Sequence, residues 1–498
     1  KHDRKAIAID PSWAMPLANL GALLIGRGQP HEAAAAYREA LACDPVSVEA
    51  ANGLGAALLA GGRTDEALVQ LRLALVSAPD HVPARINLGR ALRAVGSVAE
   101  AIEVHRAATG SAFASDSDSA EAWDELALDL LAADDIEGAT ACARKAVALN
   151  PRRVQSHAHL GNILADANAL PAAVAAYRHA LRLSPGLPIA LWNLSLVELA
   201  QGDFRNGWSH YEARWDCADF PSPRRVFAQP KLERSSDIAG KTVLVHAEQG
   251  YGDTILFVRF IPLLAARCAS VILEVPRPLV ELLRTDDGIA QLVGEGEALP
   301  AFDFHIPLLS LPLVLDRLVP DGVAVPYLHA PTSGHANEPT ETPRRRRVGI
   351  AWSGSGTIAN DRRSMRLEKL QSWFDLADIE WVGLQKDTPQ RDAECVRTLH
   401  AAHPKLSTGA SLEDFSRTAS VIADLDLVVS IDTAVAHLAG AMGKQVWVLL
   451  PFAADFRWML ERDDSPWYPT ARLFRAPAPG RWDPVIDAVR NALMEMGR

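Results

Sequence analysis

The feature that most restricts what this chain can fold into is an internal repeat. Asp10-Pro11, Asp44-Pro45 and Ala78-Pro79 recur every 34 residues, and Asn150-Pro151 and Ser184-Pro185 keep the same spacing. A second register, Leu20, Leu54, Leu88, Leu126, Leu160 and Leu194, steps by 34, 34, 38, 34 and 34. A third, the small residue that opens each second helix, runs Ala33, Ala67, Ala101, Ala139, Ala173 and Gly207. All three share one four-residue insertion, in the polar stretch around Ser111 to Ser119. A unit this short cannot bury its own apolar face, so it must stack on its neighbours. Proline after each second helix stops it, and small residues at fixed places let two helices approach.

A 34-residue period with helix–turn–helix content resembles the tetratricopeptide repeat. The stretch GRGQPHEAAAAYREALACDP reads as its turn and second helix. About six helix pairs are expected across residues 12 to 217, with a fragment of an earlier one before them. The chain begins at Lys1 inside what reads as a helix end, so further residues are expected to precede it. Stacked pairs form a superhelix with a concave face, whose expected use is a groove for a protein or peptide. A scaffold or homo-oligomer surface is the plainer alternative. The last pair, GDFRNGWSHYEARWD, carries Trp208, Tyr211 and Trp215 at near-helical spacing. We expect a cap that packs the solenoid against the next domain, and secondarily an aromatic platform for a sugar.

Composition narrows the function classes. The 498 residues favour two to four domains. A formal charge of −11 disfavours nucleic-acid binding and an anionic membrane surface. The single basic run, Arg344 to Arg347, reads as a solvated linker end. Cys43, Cys142, Cys217, Cys268 and Cys395 are scattered without a CxxC pair, which argues against disulfides and structural zinc and for a reducing cytoplasm. No apolar run reaches the roughly 18 residues a membrane span needs, and no signal-peptide pattern opens the chain.

From Lys241 the periodicity changes. KTVLVHAEQG, SVILEVP and FDFHIPL read as strands, with helical spacing in DTILFVRFIPLLAARC and PLVELLRTDDG. After a linker rich in Pro, Thr and charge, RVGIAWSGSG, EWVGLQK, LDLVVSID, QVWVLLP and ARLFRA read as strands with helices between them, and a last helix spans about Asp483 to Met496. Continuous apolar strands alternating with helices predict parallel sheets covered on both faces. The expected domains are a repeat superhelix over 1–217 and two Rossmann-like domains over 218–335 and 336–498. Ligands of such sheets bind beyond the carboxyl ends of strands, and with two halves the cleft between them is the default site.

The strand ends carry the polar residues. In EQGYGDT, Gly250 and Gly252 permit close approach to a ligand, Gln249 accompanies them, and Asp253 sits where a helix cap or a general base belongs. In the second half, Ser353 and Gly354 begin a Ser-Gly-Ser-Gly loop that offers backbone N–H groups and small hydroxyls to a phosphate. Lys386 after Gln385 offers a point charge, Arg362 or Arg363 a planar fork, and the helix starting at Thr433 a positive dipole end. Asp432, Thr433 and His437 in SIDTAVAH are a cap and a packed histidine on the plainer reading, and a phosphate site on the sharper one. GAMGKQ resembles a P-loop only superficially, because its glycines close a helix. The DLD at Asp424 to Asp426 leads into a buried strand and reads as helix-end punctuation, so no metal is expected.

These stretches together resemble the GT-B glycosyltransferases, and in particular bacterial tetratricopeptide-repeat proteins with a heptosyltransferase-like domain. GYGDTILFVRFIPLL, FDFHIPLLSLPLVL, VGIAWSGSGTIANDRRSM, VGLQK, SIDTAVAHLAGAMGKQVWVLLPFAADFRWML and DSPWYPTARLFR carry the resemblance over about residues 200 to 498. It implies an α-solenoid followed by a GT-B fold, and a nucleotide-sugar donor held mainly by the C-terminal half. It implies Asp253 as base, donor contacts from Asp432, Thr433, His437, Gln385 and Lys386, and a protein acceptor, flagellin-like proteins among the candidates, held by the repeats. Thr433-Ala434-Val435 stands where heptosyltransferases usually carry Ser/Thr-Gly-Pro. Transfer would be metal-independent and inverting, with Ser353, Gly354, Arg363, Lys386 and the Thr433 helix end receiving the diphosphate. The rival expectations are a scaffold with an inactive GT-B domain and a nucleotide-sugar epimerase.

Overall fold

The computed structural model describes residues 13–112, 114–218, 220–284, 288–319, 324–331, 345–354, 361–406 and 412–496. The linker expected between the α/β halves falls largely on residues 332–344, outside the described residues, as do Asp10-Pro11 and the opening residues. The chain divides into two compact units between Leu187 and Pro188.

The first unit is a stack of paired helices: Ala14–Ile25 with Pro30–Cys43, Val48–Ala60 with Thr64–Ser77, Val82–Ala94 with Val98–Thr109, Asp116–Ala132 with Ile136–Leu149, and Val154–Asp166 with Leu170–Leu183. Two registers beyond those seen in the sequence hold each pair. Gly21, Gly55, Gly89 and Gly161 each lie against a side chain of the partner helix; a Cβ there would stand 2.7, 2.5, 2.3 and 2.5 Å from Tyr37, Leu71, His105 and Tyr177. The fourth pair uses Ala127 and Ala143 at the same places, both fully buried. The turn between the helices needs a left-handed residue, and Gly28, Gly62, Gly96, Asp134 and Asn168 supply φ of 70°, 75°, 81°, 63° and 55°. These are the residue types that tolerate that region.

The four-residue insertion lengthens a helix. Asp116–Ala132 has 17 residues where Val82–Ala94 has 13, and its new first turn is fixed by a capping box between Ser115 and Asp118.

The second unit opens with the last helix pair, Pro188–Ala200 and Phe204–Tyr211, ending in a 3-10 turn Glu212–Asp216. Two parallel sheets follow. The first has order β3-β2-β1-β4: β1 (Thr242–His246), β2 (Ser270–Val275), β3 (Gln291–Gly294) and β4 (Phe304–Pro307). The second has order β6-β5-β7-β8-β9: β5 (Arg346–Ala351), β6 (Ile379–Gly383), β7 (Leu427–Ile431), β8 (Val446–Leu450) and β9 (Ala471–Arg475). All neighbouring strands pair in parallel. β7 and β8 are buried along their whole length, as a sheet covered on both faces requires.

Three expectations need correction. The first sheet has a fourth strand, β3, whose short polar-edged QLVG gives no periodic signal. The helix expected in PLVELLRTDDG shrinks to a 3-10 turn and the single turn Val280–Leu283. Between β5 and β6 and between β8 and β9 the described chain holds only 3-10 segments, Leu367–Trp373 and Phe456–Trp458, rather than covering α-helices. The aromatic residues of the last pair are committed to packing. Trp208 is buried, lies edge-on to Phe257 and Phe456, and donates from Nε1 to the Leu318 carbonyl at 2.9 Å. Trp208 and Tyr211 therefore present no free ring face as a sugar platform; the pair closes against the α/β core.

Candidate functional site at the strand ends

Strand order fixes where the loops part. The first sheet runs outward from β1 to β3 and returns to β4 on the other side of β1; the second reverses between β5 and β7. At such reversals the loops leaving neighbouring strands diverge, and open α/β sheets bind ligands there. Glu248, Gln249 and Gly250 follow β1; Ser353 and Gly354 follow β5; Asp432 and Thr433 follow β7; Gln385 and Lys386 follow β6. Gly252, Asp253 and His437 sit on the helices that come next, and Arg363 on the loop beyond Gly354.

After β1 the backbone turns sharply. Gln249 has φ of 62°. Its N–H donates to Ser222 Oγ at 2.8 Å, and its side-chain amide donates to the Tyr211 hydroxyl at 2.5 Å. Gly250 is the N-cap of helix Tyr251–Phe257, so Asp253 is its third residue and not its cap. Asp253 Oδ2 accepts from Gly250 N–H at 2.9 Å, reaching back as a capping box does. Its Oδ1 pairs with the Arg457 guanidinium, which also donates to Asp455 at 2.6 Å. Burial works to lower the proton affinity of Arg457; Asp253 and Asp455 outweigh it and raise it above the usual arginine value. Gly252 permits a close approach, but to protein: a Cβ there would lie 2.8 Å from His437 Cδ2 and 3.5 Å from Ala434 Cα.

After β7, Thr433 is the N-cap of helix Ala434–Ala441, without a side-chain capping bond; its Oγ1 lies 3.0 Å from Ser430 Oγ. Asp432 does not cap. Its carboxylate lies 3.6 Å from His437 Nε2, and its carbonyl accepts from Arg363 Nη1 at 3.2 Å. Burial works to raise the Asp432 pKa, but His437 and Arg363 outweigh it and hold the carboxyl below the usual range. His437 is buried, bonded through Nδ1 to the Tyr468 hydroxyl at 3.0 Å and stacked on Trp458 with ring centroids 5.2 Å apart. His437 thus braces Tyr468 and Trp458 in the structure.

The loop after β5 is tied down by its neighbours, and this corrects the expectation that its first two N–H groups are free for a phosphate: both are already donated within the protein. Ser353 N–H donates to Gln385 Oε1 at 3.1 Å, and Gly354 N–H to Ser364 Oγ at 2.8 Å. Asp361 accepts from Ser364 Oγ at 2.7 Å and from Arg363 Nε at 2.9 Å. Exposed Lys386 donates to the Glu413 carbonyl at 3.1 Å. The loop's second half, Ser355 and Gly356, lies outside the described residues. Arg363, Lys386 and Arg391 stand on the loops that follow β5 and β6: Arg363 reaches the Asp432 carbonyl beyond β7, Lys386 the Glu413 carbonyl, and Arg391 donates to Ser353 Oγ at 3.4 Å. Asp361 and Asp392 lie beside the two arginines, at 2.9 and 3.7 Å, and answer part of their charge within the protein. Guanidinium and ammonium groups on strand-end loops are the types that receive an anion.

Against this geometry the comparisons with known proteins are informative for the helices. A family model described as tetratricopeptide repeat matches residues 19–81 and 125–188. The repeats are tetratricopeptide repeats. The chain is 25% identical to protein FlbA of Caulobacter vibrioides over 431 residues, which is 79% of this chain and 69% of FlbA, so that likeness runs past the repeats into the α/β part. Among solved structures, Cut9–Hcn1 of the APC/C matches 42% of this chain and 41% of its own at 17% identity and TM-score 0.39. PilF of Pseudomonas aeruginosa matches 42% of this chain and 90% of its own at 18% identity and TM-score 0.35. The thermophilic repeat protein TTC0263 of Thermus thermophilus matches 37% of this chain and 99% of its own at 20% identity and TM-score 0.35.

Sequence reasoning missed Arg457, Tyr211 as a partner of Gln249, Arg391 and the Asp361–Ser364 pair. Arg457 stands in DFRWML, a stretch whose local pattern marks no role for its arginine. Its partner Asp253 is 204 residues away, so no local pattern could have joined them. Arg259 is another such residue: buried, it donates to the Tyr327 hydroxyl and the Trp467 carbonyl, both at 3.0 Å.

Proposed function

We propose that the second unit is a GT-B-type glycosyltransferase that moves a sugar from a nucleotide-sugar donor to a hydroxyl, and that the tetratricopeptide repeats recruit a protein acceptor. The observation that supports this most is the placement of Arg363, Lys386 and Arg391 on the loops beyond β5 and β6, at the reversal of the second sheet. In this reading the acceptor oxygen loses its proton to Asp253 as it attacks the anomeric carbon. The bond from that carbon to the diphosphate oxygen breaks, and the nucleoside diphosphate leaves with the electron pair. Asp253 already accepts two hydrogen bonds, and its two oxygens offer about four acceptor sites, so a hydroxyl can still be received. The arginines and lysine neutralise the leaving charge without a metal.

A second reading, an interaction scaffold without chemistry, is favoured by the structural duties of Asp253 and His437. Thermal-shift titration with UDP-, GDP-, ADP- and CMP-sugars separates the two. A shift that Lys386→Ala and Arg363→Ala abolish is expected; no shift with any donor favours the scaffold. Turnover of a donor with no protein acceptor would instead indicate an epimerase. Strict dependence of transfer on added Mn²⁺ or Mg²⁺ would overturn the metal-free mechanism.

A further inference from the structure

The last helix pair contributes more than a cap. Tyr211, at the end of helix Phe204–Tyr211, is buried, and its ring is held by Trp208 edge-on at 5.6 Å and by the Arg214 guanidinium at 4.6 Å. Its hydroxyl is spent on Gln249, the one residue of the β1 strand-end turn with a left-handed backbone. A non-glycine residue in that region is strained, and such strain persists where the surroundings over-determine it. Here three contacts do so. Ser222 takes the Gln249 N–H, Tyr211 takes its amide, and Arg214 pairs with the neighbouring Glu248 at 2.7 Å. Burial raises the Tyr211 pKa, so the hydroxyl stays protonated. The turn they hold leads directly into the cap at Gly250, whose N–H fixes one oxygen of Asp253.

We propose that Tyr211 is a positioning residue of the site: through Gln249 it holds the strained turn after β1 and so sets where Asp253 stands. The proposal rests on the glycosyltransferase reading for its consequence in rate, but not for its consequence in the turn. A residue of the last repeat is thus part of the machinery of the α/β unit, while the ring of Tyr211 serves packing.

Tyr211→Phe separates the two duties because it keeps the ring and removes only the hydroxyl. In the full chain, hydrogen exchange of peptides covering residues 247–257 should accelerate by about tenfold, the size of one lost hydrogen bond, with peptides of residues 14–183 unchanged. With whichever of the UDP-, GDP-, ADP- or CMP-sugars is turned over, kcat should fall by about 10- to 100-fold while the donor KM stays within a factor of about two. Gln249→Ala should give the same signature, and the double variant should lose little more than either single one. Unchanged exchange in 247–257, or losses in the two single variants that simply add, would overturn the proposal. If the wild-type chain turns over none of the donors, the glycosyltransferase reading fails by itself, and the exchange result still decides whether Tyr211 holds the turn.

Discussion

The two units solve the burial of polar groups in opposite ways. In the solenoid, charged residues of neighbouring repeats neutralise one another at sequence separations set by the repeat. Glu125 is buried between Arg90 and Arg93, at 2.7 and 2.6 Å, and Arg93 continues to Asp129 at 2.5 Å. In the α/β unit the contacts reach much further along the chain: Asp253 to Arg457 and Arg259 to the Trp467 carbonyl join segments 204 and 208 residues apart. The solenoid network bridges adjacent helix pairs, so its loss bears on those pairs. The Asp253–Arg457 pair ties the helix after β1 to the 3-10 turn after β8, at the candidate site itself.

The largest expected effect tests the second half of that contrast. Asp253→Asn should reduce transfer by roughly 10²–10⁴-fold while donor binding by thermal shift is kept. Full activity in this variant would remove Asp253 as the base. Glu125→Gln tests the first half. Arg90 keeps Glu121 and Arg93 keeps Asp129, so replacing one charged acceptor by a neutral amide should cost about 1–3 kcal/mol in urea unfolding of the solenoid, with donor binding untouched.

The same glutamate gives a pH signature. Burial works to raise its pKa, and Arg90 and Arg93 outweigh it and bring it to about 2. A depressed carboxylate contributes stability that is complete above its unfolded value near 4.5 and is lost as pH falls through about 2. The wild-type solenoid should therefore lose stability between these values, and Glu125→Gln should flatten that slope.

Smaller effects probe packing. Gly89→Ala sets a Cβ 2.3 Å from the His105 ring, and Gly252→Ala sets one 2.8 Å from His437. Each should cost about 1–3 kcal/mol by thermal unfolding. The first should leave donor binding alone; the second should weaken it, because it pushes apart the helices that carry Asp253 and Thr433. Equal effects on binding would erase the distinction between the units.

At neutral pH the smallest change comes from His246→Phe. Burial, helped by the charges of Arg225, His305 and Lys231, pushes His246 down to about 3, so it is neutral when folded. Unfolding lets it take up a proton below its ordinary value of about 6.5, so stability is complete above that pH and falls as pH drops toward 3. The variant should match wild type at pH 7 and be the more stable of the two near pH 4 in chemical denaturation.

The sequence alone determined the repeat, because a solenoid is built from contacts between neighbours and its registers are therefore printed at a fixed period. It also determined eight of the nine strands among the described residues, since strands buried on both faces read as apolar runs; β3, short and at a sheet edge, gave no such run. It located the strand ends and their polar residues as well. What only the tertiary structure decided is what those residues touch. Asp253 reads locally as a cap and is the helix's third residue, its carboxylate clasped by an arginine from beyond the other sheet's strand β8. Gly252 reads as room for a ligand and is room for His437. Tyr211 reads as part of a cap and also holds the turn that leads to Asp253. The contacts of Tyr211 and Asp253 join segments 38 and 204 residues apart, and no local propensity relates them; the first exists because the last helix pair packs against the loop after β1, the second because the helix after β1 meets the turn after β8.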